Sequence, residues 1–260
     1  MSTNPLLLVR DNVKFHQDLL NEVINDPKRA YLNITNNIND AEDCQLQWCD
    51  YEDISWKNVL KGEIRANAYC VRKGLIRKAQ LATYIERYSS KYPNNPLSLN
   101  NGTPAAYTVE LHHPDDVDEA ICDLPMEVVI NEDKLPWMLK LSMVEKAANQ
   151  IIFTNIQTLK DELYLLSEHI REFVVQKYIN NPLLCFNRKF SMRVYILCCG
   201  DLKVFIYQDI FCFLCTLPYY QEGEEEGADY TNHYQHITNF NVNNKHKDWS
   251  EDQCSYLLHE

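Results

Sequence analysis

Residues 188–207, RKFSMRVYILCCGDLKVFIY, decide the fold. Two runs rich in β-branched and aromatic residues flank Gly200-Asp201, a dipeptide typical of a tight turn. The pattern predicts one strand from Lys189 to Cys199 and a second from Leu202 to Leu217, with a break near Asp209. We therefore expect antiparallel strands at the centre of this region.

Alternate side chains of a strand point to opposite faces. On the first strand this places Lys189, Ser191 and Arg193 together, opposite a set of apolar residues (Phe190, Met192, Val194 and Ile196). An ammonium and a guanidinium group on one face suit an anionic ligand such as a polyphosphate. The alternative is a solvent-facing strand with scattered charges. Lys140 and Lys146 would add two more cations if they converge on the same place.

The segments before this stretch predict further strands around one helix. Residues 137–140 and 151–153 are expected to form a hairpin with a long polar tip. Thr154 is the predicted N-cap of the helix that follows, with Gln157 completing a capping box. A strand from Phe173 to Ile179 comes next. This order, without alternation of parallel strands and helices, predicts an α+β fold with antiparallel sheets flanked by helices.

The first half of the chain is less regular. We expect a helix over residues 11–24, a polar Asn/Asp-rich loop after it, a basic helix over 71–92, a strand over 107–112 and a helix over 115–123. The basic helix carries Arg72, Lys73, Arg77 and Lys78, and it is either a solvated face or a docking surface for an acidic polypeptide. The predicted domains are an N-terminal and central α/β lobe, residues 1–125, and a C-terminal lobe, residues 126–260.

Composition excludes several classes of function. The chain has 25 basic and 37 acidic residues and a net charge of −12, so general nucleic-acid binding is not expected. Six scattered glycines exclude a P-loop and a Rossmann fingerprint. No apolar run is long enough for a membrane span.

The ten cysteines fit free thiols in a reducing compartment, and we expect a cytoplasmic protein. Cys212 and Cys215 have zinc-knuckle spacing but lack a second pair, which favours buried thiols over a metal site.

Several ordered motifs carry a family resemblance. VVQKYINNPLL at 174–184, the stretch at 188–207 and HITN at 236–239 resemble the nucleotide-binding half of the tubulin–tyrosine-ligase-like family, which has an ATP-grasp fold. LQWCDYEDISW at 46–56, AYCVRKGLIR at 68–77 and WMLKLSM at 137–143 are similar to the fungal and plant members. The similar segments cover about residues 44 to 240.

The resemblance implies an ATP-dependent carboxylate–amine ligase that adds an amino acid to a protein tail, possibly that of tubulin, through an acyl phosphate. It implies that Lys140 and Lys146 contact phosphates and that Gln176, Lys177, Tyr178 and Ile179 receive adenine. It also implies that Lys189, Ser191 and Arg193 contact phosphates or the acceptor, and that His236, Thr238 and Asn239 lie near the reacting carboxylate. Such catalysis rests on positioning and electrostatics.

Three departures from the family pattern favour an alternative function. The hairpin tip, VEKAANQ at 144–150, lacks the usual glycine, and Ser191 and Phe213 replace charged or imidazole side chains. Family members hold Mg²⁺ on a later acidic strand pair with a Glu-x-Asn motif, and no such motif follows Asn239. We therefore expect a C-terminally incomplete fold that contains no metal ligands. The alternative is a catalytically inactive ATP-grasp relic that acts as a protein-interaction module.

Overall fold

The computed structural model of the chain describes residues 5–10, 14–29, 32–40, 43–95, 102–132, 134–142, 150–219 and 229–258. These residues form two compact units, one ending at Arg72 and the other beginning at Lys73. The strand at 106–110 belongs to the second unit and pairs with the strand at 172–177. No helix in the described ranges is long and apolar enough to cross a membrane.

The first unit contains a parallel four-stranded sheet in the order β2-β1-β3-β4. Its elements are β1 (Leu6–Arg10), α1 (Lys14–Ile24), β2 (Asn33–Thr35), β3 (Leu46–Cys49), α2 (Trp56–Leu60) and β4 (Arg65–Ala66). Leu8 of β1 is fully buried and packs with Cys44, Cys49, Ile54 and Ile64. The predicted loop is wrong at Asn33–Thr35, because main-chain pairing with β1 forms a strand whose polar side chains gave no strand signal.

The second unit contains two four-stranded sheets and a separate two-stranded ribbon. Its strands are β5 (Ala106–Glu110), β6 (Trp137–Leu141), β7 (Ile151–Phe153), β8 (Glu172–Lys177), β9 (Leu184–Cys185), β10 (Arg188–Arg193), β11 (Ile196–Cys199), β12 (Lys203–Ile206), β13 (Phe211–Leu214) and β14 (Ser255–Leu257). Its helices are α3 (Lys73–Ile76), α4 (Lys78–Lys91), α5 (Val117–Cys122), α6 (Met126–Val129), α7 (Ile156–Leu166), α8 (His233–His236), α9 (Phe240–Asn243) and α10 (Glu251–Cys254).

The main core lies on one face of the first of these sheets, which has the order β5-β8-β6-β7 with every pairing antiparallel. Leu139, Leu141 and Phe173 project from that face and pack against Leu159 and Leu163 of α7. Strand alternation turns their sequence neighbours to the opposite face. The second sheet has the order β14-β13-β10-β9 and is also antiparallel. The predicted α+β class with antiparallel sheets is thus present in this unit.

Two local predictions are wrong. The N-cap of α7 is Asn155, whose side chain accepts a hydrogen bond from the Thr158 amide at 2.9 Å, and it is not Thr154. Both residues are good caps, so sequence preference did not separate them. The strand predicted from Lys189 to Cys199 is interrupted after Arg193, because β10 pairs with β13 whereas β11 pairs with β12. No glycine or proline marks this change of partner.

The ribbon formed by β11 and β12 is exposed on both faces. Ile196, Leu197, Val204, Phe205 and Ile206 are each between 56 and 66% exposed. Cross-strand pairs such as Ile196 with Ile206 and Leu197 with Phe205 give each face an apolar surface. The ribbon therefore exposes a contiguous apolar surface on both of its faces.

Candidate functional site

A cavity of about 350 Å³ lies between β6 and β10, and we call it the cationic cavity. Lys140 on β6 and Lys189 and Arg193 on β10 line it together with Ser191. The segment after β13 completes the wall with His236, Thr238 and Asn239. Seven residues predicted as site residues, distant in sequence, thus surround one space. Its described lining contains no carboxylate.

Lys189 is a strongly desolvated cation of the cationic cavity. Its Nζ atom lies 4.1 Å from the centre of the Tyr178 ring, a cation–π contact. Burial and, to a smaller extent, the nearby charge of Lys140 lower the pKa of Lys189 to about 8. Among the described residues Lys189 forms no ion pair with a carboxylate. A buried ammonium group with this environment favours an anionic ligand.

Lys140 and Arg193 are also in contact with neutral groups. Burial lowers the pKa of Lys140, and Lys78 adds charge repulsion. The Lys140 ammonium donates a hydrogen bond to the side-chain oxygen of Gln176, which fixes its direction. The guanidinium carbon of Arg193 lies 5.3 Å from the centre of the Phe213 ring. Both cations are therefore held by neutral groups, and their charge remains available to a ligand.

His236 is held as a neutral imidazole. It is 2% exposed, and its Nε2–H donates to the carbonyl oxygen of Asp229 at 3.0 Å. Its Nδ1 accepts a hydrogen bond from the Tyr178 hydroxyl at 2.8 Å. Burial lowers the pKa of His236 to about 4, with a smaller contribution from the charge of Lys189. Both ring nitrogens are thus engaged, which favours a positioning role over proton transfer.

Asn243 holds one wall of the cationic cavity in place, a role that the sequence did not predict. It is 1% exposed, and its Oδ1 accepts hydrogen bonds from the amide and hydroxyl of Thr216 at 2.8 and 2.9 Å. Its Nδ2 donates to the carbonyl oxygens of Ile237 and Asn239 at 2.6 and 3.1 Å. Asn243 therefore fixes the 237–239 segment, whereas the Asn239 side chain caps α9 by accepting from the Asn241 amide. An asparagine in a polar stretch gives no sequence signal for such a role.

The predicted adenine-binding residues are divided between two places. Gln176 faces the same side of the sheet as Lys140, and Tyr178 is buried beside Lys189. Lys177 projects to the other side of the sheet, where it lines a separate cavity with Glu127 and Trp137. Ile179 is 53% exposed and does not line the cationic cavity.

The backbone amides of Lys177 and Tyr178 already donate hydrogen bonds to the carbonyl oxygens of Ala105 and Pro136. Lys146 lies outside the described residues.

The described residues do not fit a magnesium site. No group of three or more His, Cys, Asp or Glu side chains in the described ranges is placed to hold a metal ion. Burial raises the pKa of Cys215 to about 12 and also raises that of Cys212, so both thiols are protonated. Both positions are buried thiols, as the sequence predicted.

The basic run at 72–78 is not a uniform solvated face. The Arg72 guanidinium stacks on the Tyr51 ring at 4.1 Å. Lys78 is part-buried, and its ammonium donates to the carbonyl oxygen of Leu141 at 3.0 Å. The predicted single helix is also interrupted at Arg77, which is the N-cap residue of α4. Two of the four cations proposed for docking therefore have intramolecular roles.

Comparisons with known proteins agree with the architecture. The tubulin-tyrosine ligase family matches residues 69–259. A probable tubulin–tyrosine ligase of Schizosaccharomyces pombe is 31% identical over 218 residues, covering 70% of this chain and 54% of that protein. The human tubulin polyglutamylase TTLL7 is 31% identical over 114 residues, covering 43% of this chain and 12% of its own length. The chain thus spans about half the length of the first of these relatives, and less of the other.

A solved structure is similar over most of the chain. The C-terminal domain of Kluyveromyces lactis Pby1, described as an ATP-grasp enzyme interacting with the mRNA decapping enzyme Dcp2, gives a TM-score of 0.60 at 25% identity. The match covers 92% of this chain and 68% of that chain. The predicted α+β, ATP-grasp-like fold is therefore confirmed. From the cavity, its motifs and these matches, the chain belongs to the tubulin-tyrosine ligase family.

Proposed function

We propose that this protein is an ATP-dependent carboxylate–amine ligase that adds an amino acid to an acidic protein tail. The observation that carries the proposal is the cationic cavity, where Lys140, Lys189 and Arg193 converge without a carboxylate in its described lining. Such an array suits the phosphates of ATP and the carboxylate that receives the terminal phosphoryl group. The names of the tubulin-modifying relatives support a protein substrate, and tubulin is the first candidate acceptor.

The reaction has two steps. A carboxylate oxygen of one substrate attacks the terminal phosphorus of ATP, which gives an acyl phosphate and ADP. The nitrogen of the amine substrate then attacks the acyl carbon, the carbon–oxygen bond to the phosphate breaks, and inorganic phosphate leaves as the amine loses a proton. Both steps increase the negative charge on oxygen atoms. The three cations are placed to stabilise that charge electrostatically. Magnesium would supply further charge neutralisation, but we derive no step through it because the described residues do not fit a metal site.

The cysteines support a cytoplasmic location for this activity. All ten are free thiols, and several are buried. Unpaired cysteines in this number are typical of a reducing compartment.

Nucleotide binding tests the proposal directly. Saturation with ATP at about 100 times its dissociation constant stabilises a protein by about 2.7 kcal/mol, which a thermal-shift experiment detects. Lys189→Met removes a buried charge while keeping a similar volume, so we expect an unliganded protein at least as stable as the wild type. The same variant should lose most of the stabilisation by ATP. Lys247→Met, at an exposed lysine outside the cavity lining, is the matched control.

Turnover separates the ligase from the inactive alternative. The full chain with ATP, an acidic tail peptide and a mixture of amino acids should release ADP and add one residue mass to the peptide. ATP stabilisation that depends on Lys189 without any ADP release would support the interaction-module alternative. Equal ATP stabilisation of wild type and Lys189→Met would contradict the assignment of the cationic cavity.

A further inference from the structure

The Lys189 amine is held differently from the other lysine of the cationic cavity. The Lys140 ammonium donates a hydrogen bond to Gln176, whereas Lys189 has no hydrogen-bond acceptor among the described residues and lies over the Tyr178 ring. A ring face stabilises the protonated amine, but it leaves the nitrogen lone pair free once the proton is lost. An amine in this state is a nucleophile, and Lys189 lines a cavity that admits small molecules.

The groups that face Lys189 favour its neutral form. Burial lowers its pKa to about 8, and the charge of Lys140 contributes in the same direction. The other titratable neighbours are neutral at pH 7, because burial raises the pKa of Cys215 to about 12, raises that of Tyr178 and lowers that of His236 to about 4. The described lining contains no carboxylate that would retain the proton. About one Lys189 in ten is therefore an uncharged amine at pH 7, against about one in 2,500 for an ordinary lysine.

A phosphate-binding group lies farther along the same strand. Lys189 and Arg193 are four residues apart on one face of β10, a separation of about 13 Å along a strand. Both line the cavity, with Ser191 between them. Arginine stays charged between pH 7 and pH 9, and its planar group binds phosphate oxygens through two parallel hydrogen bonds. A small molecule with its phosphate at Arg193 would extend toward the Lys189 amine.

We propose that Lys189 is a modification site for acyl phosphates, and that its acylation switches off nucleotide binding in the cationic cavity. The neutral nitrogen attacks the acyl carbon, the carbon–oxygen bond to the phosphate breaks, inorganic phosphate leaves, and the nitrogen loses a proton to water. An uncharged amide replaces the ammonium group, so the cavity loses one of its three described cations. The effect on nucleotide binding rests on the proposed ligase function, whereas the acylation itself requires only the cavity.

Acetyl phosphate is the probe for the acylation. The full chain is incubated with it, and the acetylated lysines are quantified by peptide mass spectrometry. At pH 7 we expect Lys189 to be acetylated at least about tenfold faster than Lys247, an exposed lysine outside the cavity lining. Between pH 7 and pH 9 the rate at Lys189 should rise by about tenfold and then level off, whereas an ordinary lysine gains about a hundredfold. Equal rates at the two lysines at pH 7 would refute the proposal.

Arg193→Met tests whether the phosphate guides the reaction. Arg193 is exposed, and its charge does not contribute to the lowered pKa of Lys189. We expect acetylation of Lys189 by acetyl phosphate to fall by about tenfold, while acetylation by acetic anhydride, which has no phosphate, stays the same. Arg171→Met, at an exposed arginine outside the cavity lining, is the matched control. An unchanged rate with acetyl phosphate, or an equal loss with both reagents, would overturn the role of Arg193.

A second incubation distinguishes two sources of the acyl phosphate. The full chain receives ATP and an acidic peptide, but no amine substrate. A peptide joined to Lys189 identifies the acyl phosphate made by the protein itself as a source. Acetylation by acetyl phosphate without a peptide adduct assigns the reaction to free acyl phosphates. Either result supports the modification site, and the absence of both products at Lys189 refutes it.

Nucleotide binding connects the modification to the ligase proposal. Acetylated wild type should lose thermal stabilisation by ATP in proportion to the acetylated fraction of Lys189, and ATP bound beforehand should protect this residue. Lys189→Arg keeps a charge but has no amine, so treatment with acetyl phosphate should leave its own response to ATP unchanged. Full stabilisation of the wild type by ATP after complete acetylation of Lys189 would overturn the switch.

The failures of the two proposals are distinguishable. If Lys189 is acetylated selectively but ATP neither stabilises the protein nor protects the residue, the modification site stands and the ligase proposal fails. If stabilisation by ATP depends on Lys189 but its acetylation is not selective, the ligase proposal stands and the modification site fails.

Discussion

Acidification should destabilise this protein through His236. In the folded state burial lowers the pKa of this imidazole from 6.5 to about 4. The unfolded chain therefore takes up a proton at a higher pH than the folded chain does. Stability is greatest above pH 6.5, and it falls as the pH decreases toward 4.

The size of the effect follows from the two pKa values. One pKa unit corresponds to about 1.4 kcal/mol. The difference between the unfolded-state and folded-state pKa values of His236 therefore corresponds to a total loss of about 3 kcal/mol of folding free energy at pH values below 4. Between pH 7 and pH 5 the same linkage gives a loss of about 2 kcal/mol. Most carboxylates remain ionised at pH 5, which separates this contribution from general acid denaturation.

Urea unfolding followed by circular dichroism at pH 7 and pH 5 measures this loss. The His236→Gln variant is less stable at pH 7 because the hydrogen bonds with Tyr178 and Asp229 are altered, but it cannot titrate. Its stability change between pH 7 and pH 5 should therefore be smaller than that of the wild type by about 2 kcal/mol. His169→Gln, at an exposed histidine, serves as the control. An unchanged pH dependence in His236→Gln would refute the reasoning.

The remaining predictions concern hydrogen bonds that position helices and the site. Asn155→Ala should lower the free energy of unfolding by about 1 kcal/mol because α7 loses its N-cap. Thr154→Ala should change the free energy of unfolding by less than about 0.5 kcal/mol. Equal effects of the two substitutions in urea titrations would contradict the assignment of Asn155 as the N-cap. Asn243→Ala removes four buried or part-buried hydrogen bonds of this side chain and should cost about 3 kcal/mol. If Asn243 fixes the 237–239 segment, the variant should also show weaker thermal stabilisation by ATP than Asn155→Ala, which alters a helix cap outside the lining of the cationic cavity.

The sequence allowed much of the second unit to be predicted because its signals are local and regular. Alternation on β10 placed Lys189 and Arg193 together, and both line the cationic cavity. Lys140, expected to add a further cation if it converged with these two, lines the same cavity. These predictions depend only on the twofold repeat of a strand.

The rest depends on partners distant in the sequence. β10 ends where pairing with β13 stops, and the next strand, β11, pairs with β12 instead. No residue at 194–195 indicates this change of partner. The strand at Asn33–Thr35 exists because β1 supplies its hydrogen bonds. The neutral state of His236 results mainly from its burial. The Tyr178 hydroxyl and the Asp229 carbonyl orient its ring, and a motif alone reveals neither the burial nor those contacts. Tertiary environment, rather than residue preference, decided each of these features.

The β11–β12 ribbon has a practical consequence for experiments on this protein. Aliphatic and aromatic side chains on both of its faces favour self-association as the concentration rises, especially during overproduction. Replacing Val204 and Ile206 with threonine and lysine would make one face more hydrophilic and would leave the residues that line the cationic cavity unchanged. Calorimetry and NMR at high protein concentration would then measure ligand binding rather than colloidal clustering.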